Sequence, residues 1–104
     1  MDIIKNALQN LINYSGIEII FNPKYIYTCW VMKCNNAYFV IDNFKHILAE
    51  NCSLESVMNA IKQEYVESKI AFIPDLRIKQ IDFTDAKFKD LYYFGTTYHK
   101  EVVS

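Results

Sequence analysis

The chain has 104 residues, 52% of them hydrophobic and 15% aromatic, with eight Tyr and seven Phe supplying nearly all the rings. That composition belongs to a globular domain and excludes a disordered chain. Eleven basic against twelve acidic residues leave a net charge of −1, so the strong positive field that holds many proteins to nucleic acid or membrane surfaces is missing.

From the N-terminus, Ile3, Ile4, Ala7, Leu8, Leu11 and Ile12 recur at three- and four-residue spacing. This predicts an amphipathic helix capped by Asp2 and stopped at Ser15-Gly16. Ile17 to Phe21 alternates as a strand, and Asn22-Pro23-Lys24 turns it into the centre of the sequence, Tyr25 to Asn43. There, two β-branched and aromatic runs flank Asn35-Asn36, residues that tolerate positive φ, as a two-residue hairpin turn requires. The result is a three-strand meander.

Such a turn sets Cys34 opposite Ala37, Met32 opposite Phe39 and Trp30 opposite Ile41 on a core face. The reverse face carries Tyr27, Cys29, Val31 and Lys33 beside Tyr38, Val40 and Asp42. It is too apolar to meet water alone, so a helix or a partner must cover it.

Phe44 to Asn51 reads as a short helix, because Phe44, Ile47 and Leu48 share a face. Ser53 caps a second helix whose stripe is Leu54, Val57, Met58, Ile61 and Tyr65. Lys69 to Ile73 is a strand, Pro74-Asp75 a turn, and Leu76 to Phe83 another strand, with a slip in alternation between Ile78 and Ile81 that suggests a bulge or bend. Thr84 caps a last helix to about Phe94, with Phe88, Leu91 and Tyr92 inward and Gly95 at its end. Thr96 to Val103 alternates as a closing or edge strand, and as an edge it could pair two copies. These elements predict one compact α+β domain over residues 1–104, a mainly antiparallel sheet built on the meander with helices packed on one face.

Three Cys, an odd number, with no charged segment leading into an apolar one, point away from a secreted, disulfide-framed domain. Apolar runs broken within about six residues are too short for a bilayer span. An intracellular, cytoplasmic protein with no membrane partner is expected. One metal-like spacing exists, Cys29, Cys34, His46 and Cys52, whose ligand types suit zinc. On a regular strand Cys29 and Cys34 point to opposite faces, and small buried thiols are the simpler account. A thiol nucleophile would be Cys52, just before a helix start, with His46 or His99 as base. With only Gly16 and Gly95, no phosphate-cradling loop can form, and no cofactor is expected.

The cations Lys33, Lys45, Arg77, Lys79, Lys87 and Lys89 are the ones nucleic acid would use. Tyr92, Tyr93, Phe94 and Tyr98 point in several directions around a helix, so one core cannot bury them all, and Tyr is enriched at binding surfaces. The leading expectation is a non-enzymatic inhibitor, immunity or regulatory module that occludes a partner protein through Tyr27, Val31, Tyr38, Tyr92, Tyr93 and Tyr98.

Residues Ala37 to Ile61, through Tyr38, Phe39, Val40, Asp42, Leu48, Ser53, Ala60 and Ile61, resemble the N-terminal domain of the viral Bro and KilA-N group. The resemblance covers about a quarter of the chain. It implies the alternative function, DNA binding in a virus or phage, and with it a host cytoplasmic or nuclear location.

Overall fold

At Asn35 and Asn36 the backbone has φ values of 49° and 67°, the left-handed pair that defines the tight hairpin expected there. The computed structural model describes residues 2–21, 28–64 and 76–103. Its elements are α1 (Asp2–Gln9), β1 (Ser15–Ile20), β2 (Thr28–Cys34), β3 (Ala37–Asp42), β4 (Ile47–Cys52), α2 (Leu54–Glu64), β5 (Arg77–Gln80), a 3-10 turn (Ala86–Phe88) and α3 (Lys89–Val103). Five strands form one sheet in the order β4-β3-β2-β1-β5, every neighbouring pair antiparallel. The class is α+β, as expected. The Cys34–Ala37, Met32–Phe39 and Trp30–Ile41 pairs stand in register as the hairpin requires.

The helices, however, cover both faces. On the first, Ile4, Leu8 and Leu11 of the α1 region and Val57, Met58 and Ile61 of α2 pack on Ile17, Ile19, Cys29, Val31, Tyr38 and Val40. On the second, Phe88 and Leu91 pack on Trp30, Met32, Cys34, Phe39 and Ile41, with Ile81 beside them. The expectation of helices on one face is thereby corrected. β2 and β3 are apolar on both sides because each side meets a helix, the arrangement an alternating core-and-water strand cannot satisfy.

Four local readings change with it. Phe44 to Asn51 is a turn followed by β4, not a helix. Lys45 lies at φ 70°, its N–H donates to the Asp42 carbonyl at 3.0 Å, and the Asp42 N–H donates to the His46 carbonyl at 3.1 Å. This is a three-residue hairpin loop with a left-handed residue before the returning strand. The strand expected over Leu76 to Phe83 is shorter, β5 ending at Gln80, and Ile78 and Ile81 need no bulge. They fall in opposite cores, as residues three apart on an extended chain do.

The last helical segment is capped one residue later than expected, by Asp85, whose side chain accepts the Lys87 N–H at 3.0 Å. Thr96 to Val103 continues α3, so the edge strand that was to pair two copies is absent. The β-prone Thr-Thr-Tyr run yields because Phe88, Leu91 and Gly95 keep a helical stripe on the sheet. Ser53 caps α2 as expected, its Oγ accepting the Ser56 N–H at 3.2 Å. The strand expected at Lys69 to Ile73, its turn and Tyr65 lie outside the described residues.

Both glycines serve close approach and stop no helix. A methyl on Gly16, inside β1, would stand 2.7 Å from the Val31 carbonyl oxygen. One on Gly95, in mid-α3, would stand 3.1 Å from Met32 Sδ. Small size lets the chain touch its neighbour at both points.

Candidate functional site

After α1 the chain turns sharply into β1. The Ser15 N–H donates to the Ile12 carbonyl at 3.2 Å, the Ser15 hydroxyl to the same carbonyl at 2.6 Å, and the Tyr14 N–H to Lys33 O at 2.7 Å. These bonds hold Tyr14 at φ 65°, a left-handed conformation that a bulky aromatic residue rarely adopts. Holding it there costs on the order of 1 kcal/mol, which the flanking bonds offset. The residue is 49% exposed. Its pKa is raised above the usual phenol value, first by charge repulsion from the neighbouring Cys34 sulfur and then by hydrogen bonding with it, with smaller effects from desolvation and from the Tyr92 phenol.

Tyr92 reaches this region from α3 and lies against Phe83, ring centroids 5.2 Å apart at 54°. Tyr92 is 42% exposed and the adjacent Tyr93 66%. The Asn36 N–H donates to the Asn13 side chain at 3.2 Å, tying the β2–β3 turn to the same end of the sheet. Ile12, Asn13, Tyr14, Asn35, Asn36, Phe83 and Tyr92 together carry no charge. Lys33, whose carbonyl accepts the Tyr14 N–H, donates its ammonium to the Leu11 carbonyl at 3.2 Å.

The residues expected to bind a partner therefore separate. Tyr92 and Tyr93 are on the surface. Val31 and Tyr38 are in the first core, beneath α1 and α2, and the Tyr38 phenol donates to the Leu8 carbonyl at 2.9 Å. The apolar reverse face of the meander is closed by helices, which corrects the assignment of these two to a binding surface. Tyr27 and the Tyr98 side chain lie outside the described residues. Tyr14 was missed because no residue pattern marks a tyrosine for the left-handed region.

The thiols do not converge. Cys29 is buried in the first core and Cys34 in the second, on opposite sides of β2. Cys52 is half-buried in the first, its thiol donating to the Tyr38 carbonyl at 3.7 Å. Burial raises the Cys52 pKa, the reverse of what activates a nucleophile. Among the described residues no three His, Cys, Asp or Glu side chains gather closely enough to hold a metal ion.

Several cations are already engaged. Lys45 pairs with Asp90. Lys87 stands 3.7 Å from the Glu18 carboxylate and over the Phe88 ring. A groove of about 710 Å³ runs between α1 and α2, but Lys5 and Lys62 face it beside Glu55, so it presents no single sign of charge. Among the described residues no helix is long and apolar enough to cross a membrane. No family model, curated protein or solved structure matches the chain.

Proposed function

We propose that this chain is a non-enzymatic protein-binding module that acts by occluding a partner, and that its contact surface is the uncharged aromatic end built from Tyr14, Tyr92 and Tyr93. The observation that carries this reading is the exposure of those three rings in a molecule whose helices cover both sheet faces. Tyrosines bring large contact area at low entropic cost and are over-represented among residues that dominate interface energies. The strained backbone at Tyr14 supports the same surface, since such conformations cluster at ligand-contacting positions.

The test is capture from the native lysate by the wild-type chain and by Tyr92→Ala/Tyr93→Ala, with nuclease treatment and light scattering. The expected result is a discrete, nuclease-resistant complex with another protein. The double variant should weaken it by tenfold or more, about 1.4 kcal/mol, at unchanged melting temperature. Equal capture by both would remove this surface. A nuclease-sensitive complex that dissolves steeply with salt would instead favour the DNA-binding alternative.

A further inference from the structure

The turn between β3 and β4 holds a pair of groups at the opposite end of the sheet from Tyr14. Asp42 is fully buried. Its Oδ1 accepts the Phe44 N–H at 2.8 Å and the His46 N–H at 2.9 Å, and its Oδ2 stands 3.0 Å from His46 Nδ1. Two backbone N–H groups donating to Oδ1 favour the carboxylate, which only accepts, so in the neutral ring Nδ1 carries the proton and the lone pair is on Nε2. The His46 side chain is 74% exposed, and with Nδ1 turned to a buried partner, Nε2 faces solvent. The backbone bonds of the loop and the Lys45–Asp90 ion pair to α3 hold this arrangement in place.

We propose that His46 Nε2 is a phosphoryl-acceptor site, open to small N-phosphoryl donors, with Asp42 as its positioning residue. A metal would need three or four donors, and no such group exists among the described residues. A covalent acceptor needs one nucleophile in one tautomer, facing water, with a counter-charge for the cation that forms. The pair supplies all of these. In the step, the Nε2 lone pair bonds to phosphorus while the donor's P–N bond breaks, its electron pair leaving with nitrogen as ammonia when the donor is phosphoramidate. The ring becomes an N-phosphoryl imidazolium that keeps its Nδ1 proton, and its charge faces Asp42, as an imidazolium faces the aspartate of a catalytic triad.

Incubation with phosphoramidate at neutral pH, read by ³¹P NMR and tandem mass spectrometry, gives the rate and the ring nitrogen modified. His99, the other of the chain's two histidines, is the internal reference. The expected result is modification of His46 on Nε2 about tenfold faster than of His99, a small share of what an orienting aspartate contributes in catalysis. Asp42→Asn, checked for native circular dichroism, should bring the two rates together, and His46→Gln should abolish the faster signal. Equal rates in the wild type, or reaction of His46 at Nδ1, would overturn the assignment. If Asp42→Asn does not fold, the wild-type rate ratio and regiochemistry decide alone.

Discussion

On the first face of the sheet, α1 and α2 lay Ile, Leu, Val and Met against the strands, and the buried Tyr38 phenol is satisfied by a backbone carbonyl. On the second, α3 and the turn before it lay down rings instead. Phe88 meets Trp30 edge to face at 5.0 Å and 75°, and Phe94 meets Phe39 at 5.5 Å and 89°. That face also buries a carboxylate, Glu18, which accepts the Trp30 indole N–H at 2.9 Å and faces Lys87. The first side is sealed by non-directional aliphatic burial, whereas the second depends on ring geometry and polar anchoring. The exposed tyrosines belong to the second side, where α3 has bulky rings on more directions than the sheet can cover.

The second face is most sensitive at Phe39. Phe39→Ala removes a fully buried ring from beneath α3 and should cost about 3–5 kcal/mol in urea unfolding. Trp30, the chain's single Trp, lies on the same face and should report the loosening in its fluorescence. A cost below about 1 kcal/mol would mean that the surrounding rings collapse into the space, and that the second face is not held by edge-to-face geometry.

A matched pair of glycine substitutions sharpens the contrast within that face. Gly16→Ala puts a methyl against the backbone at Val31 and 2.9 Å from the Phe83 ring, and backbone cannot easily yield, so about 1–3 kcal/mol of destabilisation is expected. Gly95→Ala meets the Met32 thioether, which can swing aside, and it gains up to about 1 kcal/mol of helix propensity. Its net effect on the urea midpoint should therefore correspond to less than about 1 kcal/mol. If Gly95→Ala costs as much as Gly16→Ala, α3 is seated as rigidly as the strands are on each other.

Those glycines also show where sequence reading stops. A glycine at a helix-like boundary looks like a stop, and only the packed structure reveals that its small size matters. The Asn35-Asn36 turn was legible because its chemistry is local: two positive-φ residues between β-forming runs, from which the register of β2 and β3 follows. The Asp42–His46 turn was not, because its left-handed position is filled by Lys45 and its hydrogen bonds come from a side chain that could equally have capped a helix. Val31 and Tyr38 were misplaced for another reason. Alternation says which residues share a face of a strand, but not whether that face meets water, a partner or a helix. Tyr93 was legible as a surface candidate, since consecutive rings on a helix cannot share one buried stripe, whereas Tyr92, also read as part of the inward stripe, is on the surface.

The smallest expected effect concerns the turn that leads into α3. Asp82 Oδ1 accepts the Thr84 hydroxyl at 2.7 Å and the Thr84 N–H at 3.0 Å. These bonds, the side-chain one foremost, hold the Asp82 carboxyl below the ordinary aspartate value, against a small opposing effect of desolvation. A folded pKa below the unfolded one means that the charged form is favoured by folding. Its contribution is present above the unfolded value and is lost as pH falls through the folded one. Thr84→Val removes the hydroxyl donor and keeps the backbone one, so the Asp82 pKa should rise part of the way back, and the acid-side loss should be smaller and complete at higher pH. Carboxyl ¹³C NMR titration of the two proteins measures this directly. An unchanged Asp82 pKa would show that the backbone bond alone holds the carboxyl down, and that the acid sensitivity at this point does not depend on the Thr84 hydroxyl.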